Sequence, residues 1–232
     1  MKINLFLIRH SESVINENKM KFFINDPHIS KKGIEQCKEL KNFLRNNDIL
    51  SKKKTKCFCS ILLRTQETAL FSIPRYKIYI SDFLKEIPNN IQKKLNLKLG
   101  NFPTRNIEKQ KERLKKYLKP HSIKRLGMLD PEIIDKKNNY KKTVYNRQGN
   151  ISLFLENNKK NFKENDTIII VCHGKLIRSF LNRKEKLKNC SFLHIYNNQN
   201  DNLFHFRKEE TNEHEYFNKK NIKYNILFEP SL

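Results

Sequence analysis

Two apolar runs constrain this chain more than any other feature, and both end in a histidine. Leu5-Phe6-Leu7-Ile8 stops at Arg9-His10, and Ile170-Val171-Cys172 stops at His173-Gly174. A short unbroken run of large or β-branched residues, with turn-formers behind it, reads as a strand buried on both faces. Such strands sit inside helix-covered sheets, and ligands bind at their carboxyl ends. Each histidine is therefore expected at the mouth of a crevice. Adjacent parallel strands lie about 4.8 Å apart. If the two runs are neighbours, their imidazoles face each other across a gap the size of a phosphoryl group.

The segments between and around these runs fill in an α/β pattern. Ser30 is a good N-cap, and Ile34, Cys37, Leu40, Lys41 and Leu44 fall at helical spacing, which predicts an amphipathic helix over 31–46. A short strand is expected over 56–60, then a helix over 61–71 that presents Arg64 and is closed by Pro74. The alternation of 77–84 predicts a strand leading to Glu86, with Asp82 close enough to compete for the same role. Helices are expected over 107–118, 143–162 and 176–181. The runs 190–196 and 203–207 flank an asparagine-rich turn and read as a hairpin at one edge of the sheet. Strands alternating with helices predict a three-layer αβα sandwich around a mostly parallel sheet. The lysine-rich stretch 89–142 is too long for an ordinary connection and reads as an inserted helical lid region. The expected organisation is one domain over 1–209 and a polar C-terminal tail over 210–232, partly ordered through Ile226, Leu227 and Phe228.

Charge and cysteine content narrow the setting. A formal net charge of +24 favours anionic partners, from phosphorylated metabolites to nucleic acid. No compact basic patch interleaved with aromatics stands out, so nucleic acid is not favoured. The five cysteines (Cys37, Cys57, Cys59, Cys172 and Cys190) are odd in number, and several lie in apolar runs, as expected of buried reduced thiols. Only Met1-Lys2 precedes the first strand and no run reaches membrane-spanning length, which leads to the expectation of a cytoplasmic protein with no membrane partner.

The chemistry collects at the strand ends. A phosphoryl group in flight spreads negative charge over three oxygens, so fixed cations around it are what catalysis requires. Arg9 and Arg64 are placed to supply them. A neutral imidazole is a competent nucleophile when a backbone carbonyl holds its other nitrogen.

At this point the motifs resemble a known family, the histidine phosphatase superfamily in its phosphoglycerate mutase-like branch. Arg9-His10-Ser11-Glu12-Ser13 followed by Asn16 is similar to the opening signature. Asp26, Ile29-Ser30, Gly33 and Gln36 resemble the second motif, and the run from Ser60 to Ala69 the third. Leu84-Lys85-Glu86 resembles the acidic motif, and His173-Gly174-Lys175-Leu176-Ile177-Arg178 the last. The resemblance implies His10 as nucleophile and carrier of a phosphohistidine. It implies Arg9, Arg64, Asn16 and Gly174 as phosphoryl ligands, His173 as a donor to the same group, and Glu86 as general acid and then base. It implies no cofactor and no metal. A metal on His10 and His173 is disfavoured because no carboxylate accompanies the pair in a motif.

Two departures stand out. Ser11 occupies a position where the resemblance implies glycine, and its side chain is expected to share space with the substrate. Ile87-Pro88-Asn89-Asn90 replaces the run that mutases carry after the acidic residue. The leading expectation is a metal-independent phosphomonoesterase acting on a phosphorylated small molecule or phosphopeptide. The alternatives are a catalytically impaired member that binds a phospho-ligand or nucleic acid, and a phosphoglycerate-type mutase. Lys19, Lys21, Arg105 and Arg147 are candidates to line a second phosphate site.

Overall fold

The computed structural model describes residues 1–18, 24, 26–50, 54–73, 75–87, 111–115, 124–130, 149–206 and 221–231. In chain order it contains strand β1 (Lys2–Arg9), helix α1 (Val14–Glu17), helix α2 (Lys31–Asn46), strand β2 (Thr55–Ser60), helix α3 (Leu63–Ser72) and strand β3 (Ile78–Ser81). A two-residue strand β4 (Leu129–Asp130) follows, then helix α4 (Ile151–Asn158), strand β5 (Thr167–Cys172) and helix α5 (Gly174–Leu181). Strands β6 (Phe192–Tyr196), β7 (Phe204–His205) and β8 (Lys223–Phe228) complete it.

The strands form one sheet in the order β4-β3-β2-β5-β1-β6-β8, with β7 joined to β1. Pairing is parallel from β4 through β1 and antiparallel at β6, β7 and β8. This is the expected α/β fold around a mostly parallel sheet. The alternation of side chains explains why β1 and β5 read as unbroken apolar runs. Phe6, Ile8, Ile169 and Val171 face one core, with Cys37, Leu40 and Leu44 of α2 and Ala69 and Leu70 of α3. Leu5, Leu7, Ile168, Ile170 and Cys172 face the other, with Phe154 and Leu155 of α4 and Ile177 and Phe180 of α5. Helices on both faces leave no solvated side for a polar residue to occupy.

Several expectations are corrected at the periphery. The expected hairpin does not form: β6 pairs with the central strand β1, and β7 pairs with the start of β1. Beyond residue 209, the order expected through Ile226, Leu227 and Phe228 takes the form of β8, which pairs with β6 along its length and is an edge of the sheet. Helix α4 starts at Ile151, where the side chain of Asn150 accepts from Leu153 N–H at 3.1 Å; residues 141–148 lie outside the described residues. Strand β3 ends at Ser81 and passes into a 3-10 turn, Asp82–Leu84, that carries the chain to Glu86. Within 89–142 the described parts belong to the body. Residues 111–115 are helical, β4 pairs in parallel with β3, and Leu114, Leu126 and Leu129 are buried in the core of α2 and α3. Lys19, Lys21, Arg105 and Arg147 lie outside the described residues.

All five cysteines are buried and free. Among the described residues no helix is long and apolar enough to cross a membrane.

Candidate active site

β1 and β5 are neighbours, and their register pairs Arg9 with Cys172. The next residue on each strand is therefore a histidine, and the ring centroids of His10 and His173 stand 5.2 Å apart. β2 lies on the other side of β5 and ends at Ser60 beside them. α3 starts three residues later and carries Arg64 in its first turn. The turn after β3 delivers Glu86. One ligand-type atom from each of His10, His173 and Glu86 lies within 4.8 Å of the others. Four strand ends thus place their polar residues at one edge of the sheet, as the general rule for parallel sheets anticipates.

His10 is held in one orientation and one tautomer. Its backbone N–H donates to Cys172 O at 2.9 Å, and its Nδ1 lies 2.7 Å from Ser11 O. A carbonyl can only accept, so Nδ1 carries the proton and Nε2 keeps its lone pair. Burial, together with the guanidinium groups of Arg64 and Arg9, pushes His10 well below the usual imidazole range and keeps it neutral. His173 is fully buried and is driven the same way by burial, Arg64, His10 and Arg9.

The cations are fixed by different means. Arg64 is 5% exposed, and its helix begins against Asp26, whose Oδ1 accepts Leu63 N–H at 2.7 Å. Asp26 also acts electrostatically on Arg64. Its backbone sits in the left-handed region (φ 49°), which an Asp tolerates better than most residues. Arg9 donates through Nη1 to the carbonyl of Leu187, while its Nε is buried with no hydrogen-bond partner among the described residues. Gly174 makes room for this guanidinium. A Cβ there would stand 3.0 Å from Arg9 Nε and 3.2 Å from its Cδ.

Glu86, and not Asp82, joins both imidazoles. Burial raises its carboxyl above the usual range against the opposing pull of Arg64, its bond from Ile87 N–H, Lys175 and Arg9. A carboxyl that holds its proton to higher pH than an ordinary one is suited to general acid work. Its presence also corrects the reasoning against a metal pair, since a carboxylate does accompany the histidines. The two guanidiniums are the stronger objection, because they make the site attractive to an anion and repel a cation.

Ser11 departs from its expectation. Its side chain points into the protein, with Oγ 3.2 Å from Thr68 Oγ1, and its N–H donates to the same oxygen at 3.0 Å. The Thr68 hydroxyl in turn donates to Arg64 O at 2.6 Å. Gly33 of α2 covers it from the other side, where a Cβ would stand 3.1 Å from Ser11 Oγ and 2.1 Å from Glu12 O. Ser11 therefore ties the loop after His10 to the helix that carries Arg64. Asn16 is exposed, and its Oδ1 accepts from Ser13 N–H at 3.2 Å, Ser13 Oγ at 2.8 Å and Asn189 Nδ2 at 3.3 Å. Those bonds hold the start of α1 to the loop before β6.

Thr68, Lys175, Ser60 and Asp26 all stand within the motifs of the sequence, but none was expected to have a role of its own. The signal for Asp26 was an Asp-Pro turn just ahead of the α2 N-cap. Lys175 offered another, as a lysine in the first turn of a helix, where the dipole disfavours it.

The profile of the histidine phosphatase superfamily (branch 1) matches residues 5–219, and the chain belongs to that family. No curated protein matches it. Among solved structures it is similar to a phosphoserine phosphatase variant from Entamoeba histolytica in complex with phosphoserine (21% identity, 85% of this chain and 92% of that one, TM-score 0.48). It is similar to a mycobacterial glucosyl-3-phosphoglycerate phosphatase (14%, 83% and 92%, 0.47). A third is the ecdysone phosphate phosphatase of Bombix mori with tungstate (13%, 83% and 88%, 0.47).

Proposed function

We propose that this protein hydrolyses a phosphomonoester, on a small molecule or a phosphopeptide, through a phosphohistidine on His10 and without a metal. The observation that carries this reading is the convergence of His10, His173 and Glu86 within 4.8 Å, in the field of Arg9 and Arg64. His10 Nε2 attacks phosphorus as the ester bond breaks, and the protonated Glu86 gives its proton to the leaving oxygen. The resulting carboxylate then takes a proton from water, whose oxygen attacks the phosphohistidine. Inorganic phosphate leaves and Nε2 regains its lone pair. Arg9, Arg64 and His173 hold the equatorial oxygens throughout, and Asn16 and Gly174 border the group.

A catalytically impaired role has two motives, Ser11 and the net charge of +24, and the Ser11 hydroxyl is engaged by Thr68 Oγ1 at 3.2 Å. That contact weighs against a steric clash with the substrate. The test is turnover of an aryl phosphate with a chelator present, compared between the wild type and His10→Ala. Chelator-resistant turnover that vanishes in the variant is expected; turnover that survives His10→Ala, or that the chelator abolishes, contradicts the reading.

A further inference from the structure

His173 is enclosed on all sides, and the groups that face it leave it one way to act as a donor. Arg64 approaches from α3, Arg9 and His10 from β1, and Glu86 from the turn after β3. Burial and the two guanidiniums disfavour an imidazolium, so His173 is a neutral ring with a single N–H. Its Nδ1 is buried with no hydrogen-bond partner among the described residues, and its Nε2 lies 2.9 Å from Ser60 Oγ. Ser60 is fully buried at the last position of β2. Its Oγ already accepts Leu62 N–H at 3.3 Å.

A hydroxyl has one proton to give. If Nε2 carried the imidazole proton, that bond would run toward Ser60. The hydroxyl proton would then need another buried acceptor, and none is seen for it among the described residues. Nδ1 would also hold a buried lone pair with no donor among the described residues, and a phosphoryl oxygen would be repelled by it. If Ser60 donates instead, Leu62 N–H bonds Oγ and the Oγ proton bonds Nε2, and Nδ1–H is left as the single donor awaiting an acceptor.

We propose that Ser60 is a positioning residue, donating its hydroxyl proton to His173 Nε2 and so holding the neutral imidazole as the Nδ1–H tautomer aimed at the transferring phosphoryl group. The last clause rests on the phosphatase reading above; the tautomer does not, because it exists in the free protein.

The experiment is ring-nitrogen NMR of the free, histidine-labelled protein, with the His173 signals assigned by their loss in His173→Gln, in parallel with steady-state kinetics. In the wild type the proton is expected on Nδ1. In Ser60→Ala it is expected to move wholly or partly to Nε2, with kcat down on the order of 10–100-fold, as for other residues that orient a reacting imidazole, and KM little changed. The pH profile of that variant should gain activity on acidification, where a protonated ring again offers Nδ1–H. Ser60→Thr keeps a hydroxyl and should restore both tautomer and rate. A wild-type proton on Nε2, or a tautomer unmoved in Ser60→Ala, overturns the proposal. If Ser60→Ala does not fold, the wild-type spectrum decides alone. An Nδ1–H ring in a protein with no phosphomonoesterase turnover would contradict the function and leave the tautomer assignment standing.

Discussion

His10 and His173 end neighbouring parallel strands in the same way, yet the protein grips them by opposite nitrogens. His10 is held through Nδ1 by the carbonyl of Ser11, and His173 through Nε2 by the hydroxyl of Ser60. The carbonyl can only accept, so it frees a lone pair on Nε2. The hydroxyl can donate, so it leaves room for a proton on Nδ1. On the proposed phosphatase reading, two similar rings 5.2 Å apart thus take the roles of nucleophile and donor. The same burial and the same two arginines keep both neutral. The difference lies in one partner atom on each, not in the electrostatic field they share.

The largest effect should fall on the nucleophile. His10→Ala is expected to lower kcat on the order of 10⁴-fold or more, since loss of a nucleophile removes the covalent route altogether. Stopped-assay turnover of an aryl phosphate measures it. Glu86→Gln should cost about 10²–10⁴-fold on an alkyl phosphate and far less on a nitrophenyl phosphate, whose leaving group needs little protonation. It should also flatten the alkaline limb of the kcat profile, because the raised carboxyl of the wild type loses its proton, and its acid function, as pH rises. His173→Ala removes one donor and not the nucleophile, so a loss of about 10²–10³-fold is expected. Equal losses in His10→Ala and His173→Ala would break the distinction drawn between the two rings.

Smaller effects test what surrounds them. Thr68→Val deprives Ser11 N–H of its acceptor and should destabilise the fold by about 1–3 kcal/mol, read by denaturant unfolding. Ser11→Gly keeps that N–H and loses only the hydroxyl contact, about 1 kcal/mol, with activity little changed. The histidines also carry a stability signature. Both have folded-state values below the ordinary imidazole value of 6.5, so on acidification the unfolded chain takes up protons before the folded one. Stability should therefore fall as pH drops below about 6.5. The decline should be shallower in a His10→Gln, His173→Gln double variant, as thermal melts at successive pH values would show.

Much of this site could be read from the chain because its parts are local. The apolar runs ending in Arg9-His10 and His173-Gly174 announce both the buried strands and the residues at their ends, and α2 appears with its cap at Ser30. What escaped reading depends on partners distant in sequence. Nothing near 192–196 says that β6 pairs with β1 and leaves the edge to β8, because an antiparallel partner can be any strand with a matching face. Ser11 could be seen as a departure, but its direction is set by Thr68, 57 residues on, and by the bare surface of Gly33. Glu86 was the expected carboxyl with Asp82 as its competitor, and the 3-10 turn Asp82–Leu84 is what carries Glu86 to the imidazoles.

The most direct measurement is rapid-quench phosphorus NMR of the enzyme mixed with a phosphomonoester under alkaline denaturing conditions that preserve phosphohistidine. A phosphoenzyme formed within one turnover, with its phosphorus on Nε2 of His10 and absent in His10→Ala, is the expected result. Turnover without any such species, or phosphorus on Nδ1 or on His173, would contradict the assignment of His10 as the nucleophile.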